Sequence, residues 1–232
     1  MKKNIFFAMM LALVSFALTS CGDKETEGLS RFTYYPVLEL EGDGYMVVGK
    51  GTTFQDPGFS ATLNGEDVSS QVTVSSNVNT NKSGVYSVVY SIKNEDGITA
   101  NARRTVVVLD LNSAVEGFYQ ITPDSYRLRQ GAQVAYGSPF EMLIIDNGDG
   151  TYNVDDLLGG WYCQRAGYGT NYAMAGVIAI EDDGSVICLA NGVPGWGDEA
   201  DAFEGTFDAA TGTFNLKVTY AAMDFVQTWV KE

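Results

Sequence analysis

Beyond its first twenty positions, the chain places apolar residues at every second position in short runs, and helical spacing is almost absent. In Val85 to Ile92, the side chains of Tyr86, Val88, Tyr90 and Ile92 fall on one face and Ser87 and Ser91 on the other. In Thr213 to Tyr220, Phe214, Leu216, Val218 and Tyr220 oppose Thr213, Asn215, Lys217 and Thr219. Both patterns are those of half-buried strands. Turn-forming clusters punctuate such runs: Asn94-Glu95-Asp96-Gly97, Asp146-Asn147-Gly148-Asp149-Gly150, Glu181-Asp182-Asp183-Gly184 and Asp208-Ala209-Ala210-Thr211-Gly212. Short strands separated by regular turn signals predict an all-β sandwich or barrel.

The first twenty residues break this pattern. Met1-Lys2-Lys3 is basic and Ile5 to Leu18 is apolar, shorter than the ~20 residues of a membrane-spanning helix and suited to a signal peptide. The run ends in Leu18-Thr19-Ser20-Cys21, which resembles the bacterial lipoprotein signal and implies lipidation at Cys21 after removal of residues 1–20. Residues 21–29 then form a polar tether. Its Asp23-Lys24-Glu25-Thr26-Glu27 resembles acidic signals behind the lipidated cysteine in glycan-foraging gut bacteria. That resemblance implies an outer-membrane protein facing the cell exterior; a plain solvated linker on a periplasmic protein is the alternative.

A boundary is expected where the strand Thr105 to Leu109 ends and Gly117-Phe118-Tyr119 begins, dividing residues 30–110 from 111–232. The first part carries Pro36-Val37-Leu38-Glu39-Leu40, Gly51 to Ala61 with its Asp56-Pro57-Gly58, Gly84-Val85-Tyr86-Ser87-Val88-Val89-Tyr90 and Ala102 to Val108. With these elements it resembles bacterial surface immunoglobulin-like modules, which implies a β-sandwich acting as spacer or stalk. The turn Leu63-Asn64-Gly65-Glu66-Asp67 is less acidic than in many relatives, which argues against a calcium site there. The second part is similar to β-rich C-terminal modules that follow such domains in lipoproteins linked to polysaccharide uptake.

For residues 111–232, strands are expected near 117–121, 140–146, 151–155, 160–165, 173–180, 185–191, 203–207, 213–220 and 225–231, with a further one near 126–129. Nearly consecutive strands of this kind suit an antiparallel up-and-down β-barrel or a curved sheet. If 160–165 runs up, loops 165–172, 191–203 and 220–224 gather at one end with turn 146–150, and turns 181–184 and 208–212 lie at the other.

Composition narrows the chemistry. The 232 residues include no histidine, which removes Ser-His-Asp and Cys-His activation and most zinc sites. The formal charge is -15, and removal of residues 1–20 leaves 12 basic against 29 acidic side chains, a net of -17. Residues 30–110 hold 6 basic and 9 acidic side chains, and residues 111–232 hold 5 and 17, so the acidity belongs to the second part. Nucleic acid is not an expected partner of such a chain.

Two loops stand out. Residues 165–172 and 191–201 set Tyr168, Tyr172 and Trp196 on glycine-rich backbone beside Arg165, Asp198 and Asp201. A sugar ring offers an apolar face for aromatic stacking and a hydroxyl rim for charged and amide groups, and loops on a rigid sheet are where binding residues concentrate. The competing expectation is that Trp196 folds back and plugs the barrel end. Trp161 and Trp229 fall on expected strands and read as core. The net acidity of this end suits a neutral or weakly cationic ligand better than an acidic polysaccharide.

Cys163 and Cys188 are the thiols left after lipidation. An intervening strand would hold their backbones ~9.5 Å apart, beyond the ~7 Å a disulfide spans, so free buried thiols are expected. Asp146-Asn147-Gly148-Asp149-Gly150 has glycine where a calcium loop needs ligands and reads as a hairpin turn; no metal or other cofactor is expected. The carboxylates of Asp198 and Asp201 could in principle cleave glycosides without histidine, but an exposed loop lacks the enclosure that raises an acid's pKa. The sequence thus predicts a non-enzymatic, lipid-anchored surface protein that captures glycan for uptake. The alternative is a structural or protein-docking component of an outer-membrane transport complex.

Overall fold

The structure, a computed structural model, describes residues 32–232; the signal segment, the lipidation site Cys21 and the tether lie outside the described residues. In the first domain, strands β1 (Val37–Leu40), β3 (Phe59–Leu63) and β4 (Glu66–Asp67) form one sheet. Strands β2 (Tyr45–Gly49), β7 (Thr99–Leu109), β6 (Gly84–Lys93) and β5 (Thr73–Ser76) form the facing one. The pairing of β2 with β7 is parallel and the others are antiparallel. The alternation along β6 is the one its sequence dictates: Val88, Tyr90 and Ile92 are buried, Tyr86 is half-buried against the same core, and Leu38, Leu40 and Phe59 pack from the opposite sheet.

The core of this sandwich contains a charge. Arg104 is fully buried and pairs with Asp56, while its Nη1 also donates to the Tyr90 hydroxyl (2.9 Å) and its Nε to the Asp43 carbonyl (3.0 Å). Its Nη2 donates to the carbonyls of Glu41 (2.5 Å) and Gly58 (3.2 Å), and the Tyr90 hydroxyl donates to Asp56 (2.5 Å). The Asp-Pro-Gly segment and the second tyrosine of the Gly-x-Tyr-x-Val-x-Tyr run are therefore two sides of one buried network.

The second domain contains β8 (Gly117–Ile121), β9 (Tyr126–Arg129), β10 (Ala132–Ala135), β11 (Glu141–Asp146), β12 (Thr151–Val154) and β13 (Ala175–Ile180). It continues with β14 (Val186–Gly192), β15 (Ala202–Asp208), β16 (Thr213–Tyr220) and β17 (Met223–Lys231). All pair antiparallel in a single curled sheet that runs β14-β13-β12-β11-β8-β17-β16-β15. The long β17 pairs with β16 along one edge and is shared on the other between β8, at Trp229 to Lys231, and β9, at Asp224 to Val226. The sheet's two ends, β14 and β15, meet at the bridge between Ser185 and Thr206, so the curl closes at one corner. Trp229, Phe214, Phe225 and Tyr119 fill its interior, where each large apolar side chain contributes about 1.5–3 kcal/mol on burial.

Three sequence expectations change. Residues 160–165 are not a strand: Gly159 and Gly160 both adopt positive φ (59° and 79°), and Trp161–Arg165 winds into a single π-helical turn. A Cβ on Gly160 would lie 2.7 Å from Cβ of Phe140, so side-chain-free backbone is what lets the turn pack. The carboxylate of the buried Asp156 holds that turn by accepting from the N–H groups of Leu158 (2.9 Å), Gly160 (3.0 Å) and Met174 (3.0 Å). Trp161 is buried as expected, but on the π turn; Trp229 is buried on β17. Secondly, β10 forms a hairpin with β9 that the pattern did not announce. Thirdly, removing one strand from the count inverts the placement of the first turn. Turn 146–151 lies with 180–186 and 208–213 at one end, and the loops 154–175, 192–202 and 220–223 share the other.

Asp146 and Asp149 spend their carboxylates on the hairpin turn itself, accepting from Gly148 N–H (2.7 Å) and Thr151 N–H (3.0 Å). Both cysteines are free and half-buried. Cys163 lies on the π turn, where its thiol donates to Asp156 (3.2 Å), and burial pushes its pKa up to about 12, so it stays a thiol; Cys188 lies on β14.

Candidate functional site

Of the three loops at one end of the curled sheet, 154–175 and 192–202 are fastened to each other through backbone. The long loop between β12 and β13 is pinned at its base by Leu157 N–H donating to the Met174 carbonyl (2.8 Å), and the π turn by Tyr168 N–H donating to the Tyr162 carbonyl (3.1 Å). The loop between β14 and β15 closes on itself where Val193 N–H donates to Asp198 O (2.8 Å) and Trp196 N–H to Val193 O (3.1 Å). Gly195 N–H donates to Asn171 O (2.7 Å), joining the two loops, and Asn191 Oδ1 accepts from Ala200 N–H (2.7 Å).

This scaffold assembles an aromatic cluster. The ring centroid of Trp196 lies 4.8 Å from Tyr162, 4.9 Å from Tyr172, 6.2 Å from Tyr220 and 6.4 Å from Tyr168. Tyr168 is 5.6 Å from Tyr172 and lies nearly parallel to Tyr162 at 6.3 Å. Trp196 is 43% exposed and Tyr168 56%, so neither plugs the sheet; both rest on the cluster with ring surface turned to solvent. Sequence reasoning named Tyr168, Tyr172 and Trp196, and the structure brings all three together. It missed Tyr162, hidden in the supposed strand 160–165, and Tyr220, whose strand parity reads as core.

The charged neighbours separate into two groups. Asp198 accepts a hydrogen bond from the Tyr220 hydroxyl (2.8 Å), and Asp201, exposed nearby, is held through its own N–H by Thr219 O (2.8 Å). Burial first, and then these carboxylates, push the Tyr220 pKa well up, so its hydroxyl remains a donor. Arg165 does not join them. Its guanidinium lies 4.2 Å from the ring of Trp161 and its Nε donates to the Tyr136 carbonyl (3.1 Å), contacts made from the last position of the π turn. Arg127, which no sequence signal singled out, lies 4.9 Å from the same indole. Its strand partner Phe225 touches Tyr162 at 6.0 Å.

The arrangement offers exposed rings for stacking, carboxylate acceptors beside Tyr220 and guanidinium groups against Trp161. Among the described residues, no group of three or more His, Cys, Asp or Glu side chains gathers for a metal.

Comparison with known proteins agrees with this architecture. A family model for a bacterial surface protein Ig-like domain matches residues 38–108, and one for a C-terminal domain matches residues 109–231. The crystal structure of the lipoprotein BT2262 from Bacteroides thetaiotaomicron superposes with a TM-score of 0.71 at 38% identity, covering 85% of this chain and 100% of that one. The CBM51-2 and INT domains of Clostridium perfringens ZmpB, in complex with GlcNAc, superpose with a TM-score of 0.26 at 19% identity over 51% of this chain and 31% of that one, too slight a likeness to carry an argument. No curated protein matches. With both domains matched and the whole length of its solved relative covered, the chain belongs to the family of the lipoprotein BT2262.

Proposed function

We propose that this protein is a non-enzymatic, cell-surface lipoprotein, anchored in the outer membrane through Cys21, that captures glycan at the aromatic end of its second domain. The observation that carries the reading is the half-exposed Trp196, seated on Tyr172 and Tyr162 with Tyr168 beside it. Exposing two large aromatic rings side by side costs solvation that a folded chain normally recovers by burial, and a stacked sugar face recovers it on binding. The rim supplies Asp198 and Asp201 as acceptors for sugar hydroxyls. The immunoglobulin-like domain serves as the stalk that holds this end away from the membrane, where an outer-membrane uptake partner would receive the captured chain.

Affinity electrophoresis of the full-length protein in gels containing a panel of neutral and acidic polysaccharides tests the reading. At least one glycan retards the wild type, and Trp196→Ala weakens that retardation by about tenfold or more, the scale of a central aromatic contact. Retardation by no glycan, or equal retardation of wild type and variant, refutes it.

A further inference from the structure

The second domain has five basic residues against seventeen acidic ones, yet Arg127, Arg129 and Arg165 all lie around the Trp161–Tyr162 corner of the aromatic end. The other two are engaged elsewhere: Lys217 pairs with Asp224 (3.7 Å), and Lys231 donates to the Ser113 carbonyl. Arg127 and Arg129 are two apart on β9, so they project from the same face of the hairpin, and Arg127 sits opposite Phe225 on β17. The register that sets Leu128 opposite Asp224 carries Arg129 toward the 220–223 loop, and Phe225, opposite Arg127, lies 6.0 Å from the Tyr162 ring that supports Trp196. Both charges lower the Tyr162 pKa against the larger upward push of burial, and Asp198 raises it.

These two cations lack counterions. Among the described residues neither Arg127 nor Arg129 forms an ion pair or a side-chain hydrogen bond, and the Nε of Arg127 is buried with no hydrogen-bond partner, its guanidinium resting on the Trp161 indole. The indole of Trp161 offsets part of the hydration Arg127 loses, but a ring face cannot accept the buried Nε–H, and Arg129 keeps its guanidinium open to an acceptor from outside. In a domain with acidic residues in such excess, two bare arginines beside an exposed aromatic platform are placed where an anion can be read at short range.

We infer that the ligand of the aromatic end is an acidic glycan whose carboxylate or sulfate is bound by Arg127 and Arg129 while its sugar face stacks on Trp196 and Tyr168. This rests on the glycan reading above and deepens it. It also reverses what the charge count alone favours, because the acidity is spread over the domain whereas its bare cations are concentrated at one point. Asp198 is engaged by the Tyr220 hydroxyl (2.8 Å) and forms no ion pair with Arg127 or Arg129, so both guanidinium groups are available to the anion.

The test compares pairs of polymers that differ in charge: polygalacturonate against its fully methyl-esterified form for a carboxylate, and dextran sulfate against dextran for a sulfate. Full-length wild type, Arg129→Gln, Arg127→Gln and Trp196→Ala are each run by affinity electrophoresis, with thermal melting to verify folding. The expected result is retention by the acidic member of one pair about tenfold stronger than by its neutral counterpart, weakened by added salt and lost in Arg129→Gln. Arg129 is exposed, so its variant answers the question even where Arg127→Gln disturbs the packing on Trp161. Equal retention of charged and neutral members, or a preference that survives Arg129→Gln, overturns the acidic specificity while a Trp196-dependent signal keeps the glycan reading standing. Retention by no glycan, in these gels or in the wider panel, removes both.

Discussion

Arg104 can remain charged inside the first domain because its donors are spent on Asp56, Tyr90 and three backbone carbonyls drawn from the loops around β1 and β3. Removing one partner of such a group strands the other in low dielectric. Asp56→Ala is therefore expected to lower stability by roughly 3 kcal/mol, at the low end for a buried pair because part of Asp56 reaches solvent, as read by urea denaturation. A loss under about 1 kcal/mol would mean that the carbonyls alone satisfy the arginine. The Asp56-Pro57-Gly58 motif was legible in the sequence as a family mark. Its partner 48 positions later was not, since no local pattern says which arginine will be buried.

At the scale of elements, strand parity was reliable wherever one face is buried, as in β6 and β16, because a period of two leaves a single consistent inward set. It failed at 160–165, where Trp161, Tyr162 and Cys163 resemble a strand while paired left-handed glycines and the Asp156 carboxylate impose a turn. That single error hid Tyr162 and misplaced Arg165. The two site loops are packed as closely as backbone allows: a Cβ on Gly195 would stand 2.7 Å from the Tyr172 ring and 2.9 Å from the Asn171 carbonyl oxygen. Gly195→Ala should push Tyr172 away from Trp196, cutting glycan affinity several-fold while shifting the melting temperature by only a few degrees. Unchanged affinity in the same gels would show that the Tyr172–Trp196 contact does not shape the site.

Across the whole molecule, the two domains are joined by more than the connection between β7 and β8. Val107 and Leu109 pack on Phe118, Leu143 and Ile145, and the buried Glu116 accepts from Ser83 Oγ (3.0 Å), Asp110 N–H (2.9 Å) and Asp146 N–H (3.4 Å). Beside this junction Asp155, though much of the residue faces solvent, tucks a carboxyl oxygen against Leu143 N–H (2.9 Å), and desolvation pushes its pKa up to about 6. A carboxyl whose folded pKa exceeds its unfolded value of about 4 favours folding as it takes up its proton, so its contribution grows as pH falls from about 7 to about 4. Asp67, Asp149, Asp183 and Asp208 act oppositely. Hydrogen bonds in their turns hold them below the ordinary range, so their contribution is present above about pH 4 and lost below it. The melting temperature should therefore rise on mild acidification and fall below about pH 4. Asp155→Asn should flatten the rise, and a wild type that melts lower at pH 5 than at pH 7 would contradict this account.

The sequence by itself determined the all-β class, the strands with one buried face and the gathering of loop aromatics, since each follows from local periodicity and turn chemistry. Only the tertiary structure decided that Trp196 stays exposed, that Tyr162 supports it, and that Arg127, on a hairpin distant in sequence, reaches the same end of the sheet through Trp161. A charge count averages over the chain, whereas binding depends on which charges are left unpaired within a few ångströms, and that is settled by how the sheet curls.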